Sequence, residues 1–505
     1  MLFDGMDLGP YDRAERSARK AYELYEDGKL TQALVALDRA LEVNPTNSAW
    51  HFNRGLTLDA LNRFDEAIAE YETALDLSPN DLEILNALAV DYTRTGLYDR
   101  ALRTFEYIEE LDPGFEPCYC NRIITYAEMG RHDQAEQVFY LAQQIDEDCP
   151  LCFYNIGNSL FARRQYKKAV RCWLRTAELE PTHPQINYRI AQACWSDGDS
   201  DRAREHFLAE LRINPGDIDV IMDFALFLLE SGELDSAREK FHRILEIDPE
   251  FAPALFYLGE MAMDGGEAGK AAESFVGALA NDPCLPGPHY RLAQCHLTGG
   301  DLPLARTHLL AELEQEIEDP NTLVSMASMF LAVEDPERAT QCLLRAIGLN
   351  MCNAEAYYYL GVTAANKGQF ADAERFFTRA LELNRDHSGA LRDSAFTLLA
   401  AGQYEKAAKR VVRARILLPK DCELRVLDYS TRLLLLGRRL TGLGHRLDPR
   451  TLIRRLRGAR TPEKTETPVQ AVSRPTTVRA PERSRSCACA SLPVRSAAGP
   501  AEPPM

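Results

Sequence analysis

Residues 354–384 read AEAYYYLGVTAANKGQFADAERFFTRALELN, and their apolar side chains return every three or four places on two successive stripes. That period belongs to amphipathic helices and not to strands. Gly368 stands between the stripes, where a left-handed residue ends one helix and lets the chain turn into the next. The stretch therefore predicts a hairpin of two helices of about 14 residues, each about 20 Å long. One hairpin cannot cover its own apolar stripe, so copies of it must stack.

Copies are present. Sliding the 505-residue chain by 34 places aligns Ala33, Ala67, Ala101, Ala135, Ala169, Ala203, Ala237, Ala271, Ala305, Ala339, Ala373 and Ala407 without a slip. With this alanine as position 20, twelve units run from Ala14 to Asp421. Position 8 is Gly or Ala in every unit except the fourth, which has Ile123, and position 24 is large and apolar, as in Phe105, Trp173 and Phe377. A knob then faces a hole within each hairpin. Position 15 is Gly in nine units and position 32 is Pro in eight, marking the end of the first and second helix respectively.

Two units show the pattern most plainly, AWHFNRGLTLDALNRFDEAIAEYETALDLSP from Ala49 and AYYYLGVTAANKGQFADAERFFTRALELN from Ala356. The sequence resembles the tetratricopeptide repeat (TPR) family over residues 14–421. That resemblance implies an all-α, right-handed superhelical solenoid of antiparallel helix pairs, whose first helices line a concave groove that holds partner proteins. The expected organisation is a lead-in over 1–13, twelve repeats over 14–421, a capping helix and Arg-rich segment over 422–460, and a disordered Pro/Ser/Arg tail over 461–505. The cap is expected to be polar and so to oppose head-to-tail assembly of copies.

Charge divides at the same boundary. Residues 422–505 hold 16 Lys+Arg against 7 Asp+Glu, a net of +9, which leaves −27 of the chain's −18 on residues 1–421. An acidic array repels phosphates, so direct nucleic-acid binding by it is not expected. The basic tail suits an acidic surface. No apolar run approaches the roughly 18 residues of a membrane span, and the acidic start lacks the charge of a signal peptide; a cytoplasmic location is expected.

In the family's geometry, positions 2, 5, 9 and 12, with parts of 6 and 13, look into the groove. On units five to nine this selects Tyr154, Asn155, Asn158, Phe161, Tyr188, Arg189, Gln192, Trp195, Phe256, Tyr290, Arg291 and Gln294. Units six and nine share Tyr188-Arg189-Ile190-Ala191-Gln192 and Tyr290-Arg291-Leu292-Ala293-Gln294, an aromatic, a cation and an amide suited to a peptide. Position 6 also carries Asn53, Asn121 and Asn155, with Asn86 one place off, part of the asparagine ladder that long arrays of this family use on extended backbones. The Lys clamp by which some members grip chaperone tails has no counterpart at position 5.

Catalysis has little footing. The sequence has no G-x-x-x-x-G-K, G-x-S-x-G or H-E-x-x-H motif, so a non-enzymatic scaffold or adaptor without cofactor is expected. The alternatives are a substrate-recruiting subunit of a separate modifying enzyme, such as a glycosyltransferase, or a self-assembling structural protein. The thirteen cysteines read as reduced core residues. Cys118, Cys120, Cys149 and Cys152 form the one set worth weighing as a zinc site, against which stands the divergent aim of Cys118 and Cys120 on one helix. Ten scattered histidines show no metal-pair spacing.

Overall fold

A computed structural model describes residues 10–315, 317–419 and 421–439. The expectations for residues 1–9 and 440–505, most of the Arg-rich segment and the whole tail among them, lie outside those residues. The described residues contain twenty-five α-helices and no strand. They fall into two compact units divided between Phe227 and Leu228.

In the first unit, helix pairs follow one another: α1–α2 (Pro10–Glu26, Leu30–Val43), α3–α4 (Ser48–Ala60, Phe64–Leu77), α5–α6 (Leu82–Arg94, Tyr98–Leu111), α7–α8 (Glu116–Glu128, His132–Ile145), α9–α10 (Pro150–Ala162, Tyr166–Leu179) and α11–α12 (Ile186–Asp197, Ser200–Ile213). The division falls within α13 (Ile218–Glu230). The second unit continues with α14 (Leu234–Ile247), α15–α16 (Ala252–Asp264, Ala268–Asn281), α17–α18 (Pro288–Gly299, Leu302–Leu313), α19–α20 (Pro320–Ala332, Pro336–Leu349), α21–α22 (Ala354–Asn366, Phe370–Leu383), α23–α24 (Ser388–Ala400, Tyr404–Leu417) and α25 (Cys422–Arg439). Within each unit a first helix packs on its own second helix and on the second helix of the pair before it. The contacts are local in sequence, as stacked hairpins require.

The repeat positions explain this packing. All twelve alanines at position 20 are fully buried, because no larger side chain fits where the two helices of a pair meet. Beside them the position-24 ring lies over the position-8 glycine. A Cβ added at Gly259 or Gly361 would stand 2.6 Å from the ring of Phe275 or Phe377. In the fourth unit Ile123 fills that hole itself, and Phe139 instead meets Phe153 edge-on at 5.3 Å. Every position-15 residue has positive φ, the nine glycines and also Asn62, Arg164 and Glu334. The turn imposes the left-handed conformation whatever the side chain.

The last helix covers the final pair with one face. Leu424, Leu427 and Leu434 of α25 are buried against α23 and α24, whereas Val426, Tyr429, Leu433 and Leu436 are exposed. The expected polar cap is therefore corrected. Two apolar stripes three and four residues apart lie on one helix, and only one of them meets the array.

Candidate functional site

The groove positions lie on the first helices, and none of the twelve expected contact residues is fully exposed. Asn155, Phe256 and Tyr290 are buried, and Tyr154, Asn158, Phe161, Tyr188, Arg189, Gln192, Trp195, Arg291 and Gln294 are half-buried. Two helices present the same chemistry at positions 5, 9 and 12. Helix α9 offers Tyr154, Asn158 and Phe161, and α11 offers Tyr188, Gln192 and Trp195. Spacings of four and three place each aromatic–amide–aromatic triad on one helical face.

Much of this polar chemistry is engaged by the protein itself. Position 6 of one first helix reaches between positions 5 and 9 of the first helix before it. Asp223 accepts from the Tyr188 hydroxyl at 2.7 Å and from Gln192 Nε2 at 2.8 Å. In the second unit, Asp393 accepts from the Tyr358 hydroxyl at 3.0 Å, and Arg291 donates to Glu260 at 2.5 Å. The partial asparagine ladder follows the same rule and turns inward. Asn121 Nδ2 donates to Asn86 Oδ1 at 3.0 Å, and Asn155 Nδ2 to the Cys120 carbonyl at 3.3 Å. Buried amides must find partners within the fold, and here the neighbouring repeat supplies them. The rings are braced too. Tyr154 lies 4.5 Å from His183 and Tyr358 4.7 Å from His387, while Trp195 stands edge-on to Phe207 and Phe227.

The repeated pentapeptide has a structural explanation that its sequence alone does not carry. Helices α11 and α17 begin two places later in the repeat than the other first helices after α1, following Gln185 and Gly287, both with positive φ and neither with a side-chain cap. A second-helix carboxylate takes over. Glu312 accepts from the Gly287 and Tyr290 amides at 2.9 and 3.0 Å, and Glu210 from the Tyr188 amide at 3.3 Å. Both glutamates sit at position 27, where Ala prevails in the other units. That exception is the readable signal.

Helices α7 and α9 bring four further groups together. Glu116 and Cys120 lie one turn apart on α7; Cys149 caps α9 and Cys152 sits in its first turn. Cys120 Sγ is 2.8 Å from Cys152 Sγ, 3.4 Å from Cys149 Sγ and 3.2 Å from Glu116 Oε1, and Cys149 Sγ is 2.5 Å from the same oxygen. Cys118 is excluded from the set. It points the other way and donates to the Phe105 carbonyl, so the expected four-cysteine grouping is corrected to three cysteines and Glu116. Burial first, and Cys149 next, push the Glu116 carboxyl up to about 7.

Two other titratable clusters have no counterpart in the sequence motifs. Asp91, 1% exposed, sits beside Asp59 with Arg94 between them, and burial followed by the Asp59 charge raises it to about 8. His289 Nδ1 meets His308 Nδ1 at 3.0 Å, and His296 stacks on His308. Burial lowers both His289 and His308 below the usual histidine range. These pairs are joined only by folding, so linear spacing could not show them.

Comparison with known proteins agrees with the repeat geometry. A tetratricopeptide repeat model matches residues 18–82, 55–116 and 154–218, and a second tetratricopeptide repeat model matches residues 354–387. A model of the Cilia and flagella-associated protein 70 middle TPR-like domain matches residues 188–284. The chain is 33% identical over 85 residues to the inactive TPR repeat-containing thioredoxin TTL3 of Arabidopsis thaliana, a match spanning 17% of this chain and only 12% of that relative. It is 40% identical over 58 residues to an uncharacterized protein of Methanocaldococcus jannaschii, spanning 12% of this chain and 67% of the relative. Among solved structures, the APC/C hetero-tetramer Cut9–Hcn1 aligns with a TM-score of 0.39 and 14% identity, covering 83% of this chain and 96% of that one. With a 34-residue phase kept through helix pairs, αL turns and buried alanines, and with repeat models matching in both units, the chain belongs to the tetratricopeptide repeat family.

Proposed function

We propose that this protein is a non-catalytic scaffold that holds a segment of a partner protein along the face of its first helices, centred on α9 and α11. The observation that carries the proposal is the pair of half-exposed triads, Tyr154–Asn158–Phe161 and Tyr188–Gln192–Trp195. Rigid aromatics give contact area at little entropic cost, and an amide between them can pair with a peptide backbone. The net −27 of residues 1–421 favours a neutral or basic segment.

Asn158 is the position to test, because the described residues give it no bond of its own and its replacement leaves the braces of Tyr188 and Trp195 intact. Asn158→Arg in the full chain should weaken capture of the bound partner at least about tenfold, as a charge forced into an interface centre does, while the melting temperature stays within a degree or two of wild type. Undiminished capture with unchanged melting would place the contact elsewhere.

A further inference from the structure

We propose that Glu116, Cys120, Cys149 and Cys152 form a closed tetrahedral zinc site that ties the N-terminal ends of α7 and α9 together.

The placement is built by two local spacings and one contact. Four residues separate Glu116 from Cys120, so both side chains rise on one face of α7. The Cys149-Pro150-Leu151-Cys152 stretch wraps the start of α9, with Cys149 at the cap, and the Cys152 amide donates to Cys149 Sγ at 3.3 Å. Helices α7 and α9 pack directly on each other, which brings the two pairs face to face. One ligand atom from each of the four residues lies within 4.8 Å of the other three. Zinc bound tetrahedrally by thiolates at about 2.3 Å sets sulfur–sulfur edges of about 3.8 Å. From the observed separations of 2.8 and 3.4 Å, the thiols need move apart by only about 1 Å or less to reach that spacing.

Chemistry and burial favour the same ligand. Cys120, Cys149 and Cys152 are at most 4% exposed and Glu116 is half-buried. Three thiols and one carboxyl thus converge in a largely dry space. A buried concentration of that kind is stabilised by a cation. Three soft thiolates and one carboxylate select zinc over calcium or magnesium. The two helix N-termini that meet here also favour the site's residual negative charge. Four protein donors complete the tetrahedron and leave no open position, so the metal serves structure and not catalysis.

The test uses the full chain, purified under reducing conditions without added metal. Elemental analysis should find about one zinc per chain. After chelator treatment, Co²⁺ alone should restore a thiolate-to-metal absorption band. Cys152→Ser should abolish both readouts, and Glu116→Gln should weaken Co²⁺ binding by at least about tenfold, since losing a ligand costs no less than losing a group that orients one. Cys118→Ser, a buried neighbour outside the set, should keep both. If Cys152→Ser fails to fold, the wild-type Co²⁺ titration and Glu116→Gln still decide. Absence of stoichiometric zinc together with absence of the Co²⁺ band would overturn the proposal. So would a disulfide among Cys120, Cys149 and Cys152 in chain alkylated at lysis, before any reductant is added.

Discussion

Among the residues in a backbone conformation that their side chains resist are two at hairpin turns. Arg164 and Glu334 stand at the hairpin turn with φ of 59° and 60°, where nine sister positions have glycine. The left-handed region costs an ordinary residue roughly 1 kcal/mol relative to glycine there. Arg164→Gly and Glu334→Gly are each expected to raise stability by about 0.5–1 kcal/mol in urea unfolding; a loss would mean that the side chains contribute contacts outweighing the strain. Asp91 offers a test by pH. Its folded value of about 8 lies above the ordinary aspartate value of 3.8, so between roughly pH 4 and 8 the folded chain holds a proton that the unfolded chain has lost. This group therefore lowers stability as pH rises through that window. Asp91→Asn should be more stable than wild type at pH 8 in chemical denaturation, by an amount on the order of 1–3 kcal/mol, and the gap should close toward pH 5. A gap that widened on acidification would reverse the assignment. The phase of the repeat makes the turn residues legible in the chain itself, whereas nothing in the spacing of Asp59 and Asp91 announces that they share one buried space.

Among the helices, punctuation was legible throughout, and compensation only as a departure from the pattern at position 27. Alanine at position 20 and glycine at positions 8 and 15 are dictated by close approach and by φ, so they recur in register and can be counted off the chain. The late starts of α11 and α17 follow from Gln185 and Gly287, and the repair comes from Glu210 and Glu312 on other helices. A buried carboxylate with two backbone donors is stable only while both bonds persist. Glu312→Ala should therefore cost about 1–3 kcal/mol, measured by chemical denaturation, with Glu312→Gln intermediate because its amide oxygen still accepts. An alanine variant as stable as wild type would show that the α17 amides find another partner. The shared pentapeptide illustrates the same limit. Its tyrosine, arginine and glutamine have the chemistry of a recognition motif, and the fold uses much of their bonding capacity to join successive first helices through Asp223 and Glu260 and to pair with one another along a single helix.

At the scale of the whole molecule, the all-α class followed from one period, because a strict 34-residue repeat of amphipathic pairs has no other way to bury its stripes. The candidate surface was legible only in part. Family geometry pointed to the first helices, but burial decides which of their side chains reach solvent, and the buried Phe256 and Tyr290 differ in this from the half-exposed Tyr154 and Tyr188. Among the described residues, the second helices carry exposed apolar side chains as well, such as Tyr140, Leu174 and Leu208 at position 25. They define the competing surface. The most direct measurement is site-specific photo-crosslinking of the full chain with its partner, with the probe placed in turn at Asn158 and Gln192 on the first helices and at Leu174 and Leu208 on the second. Crosslinks from Asn158 and Gln192, with none from Leu174 or Leu208, are the predicted result; crosslinks confined to Leu174 and Leu208 would contradict a partner held on the first-helix face.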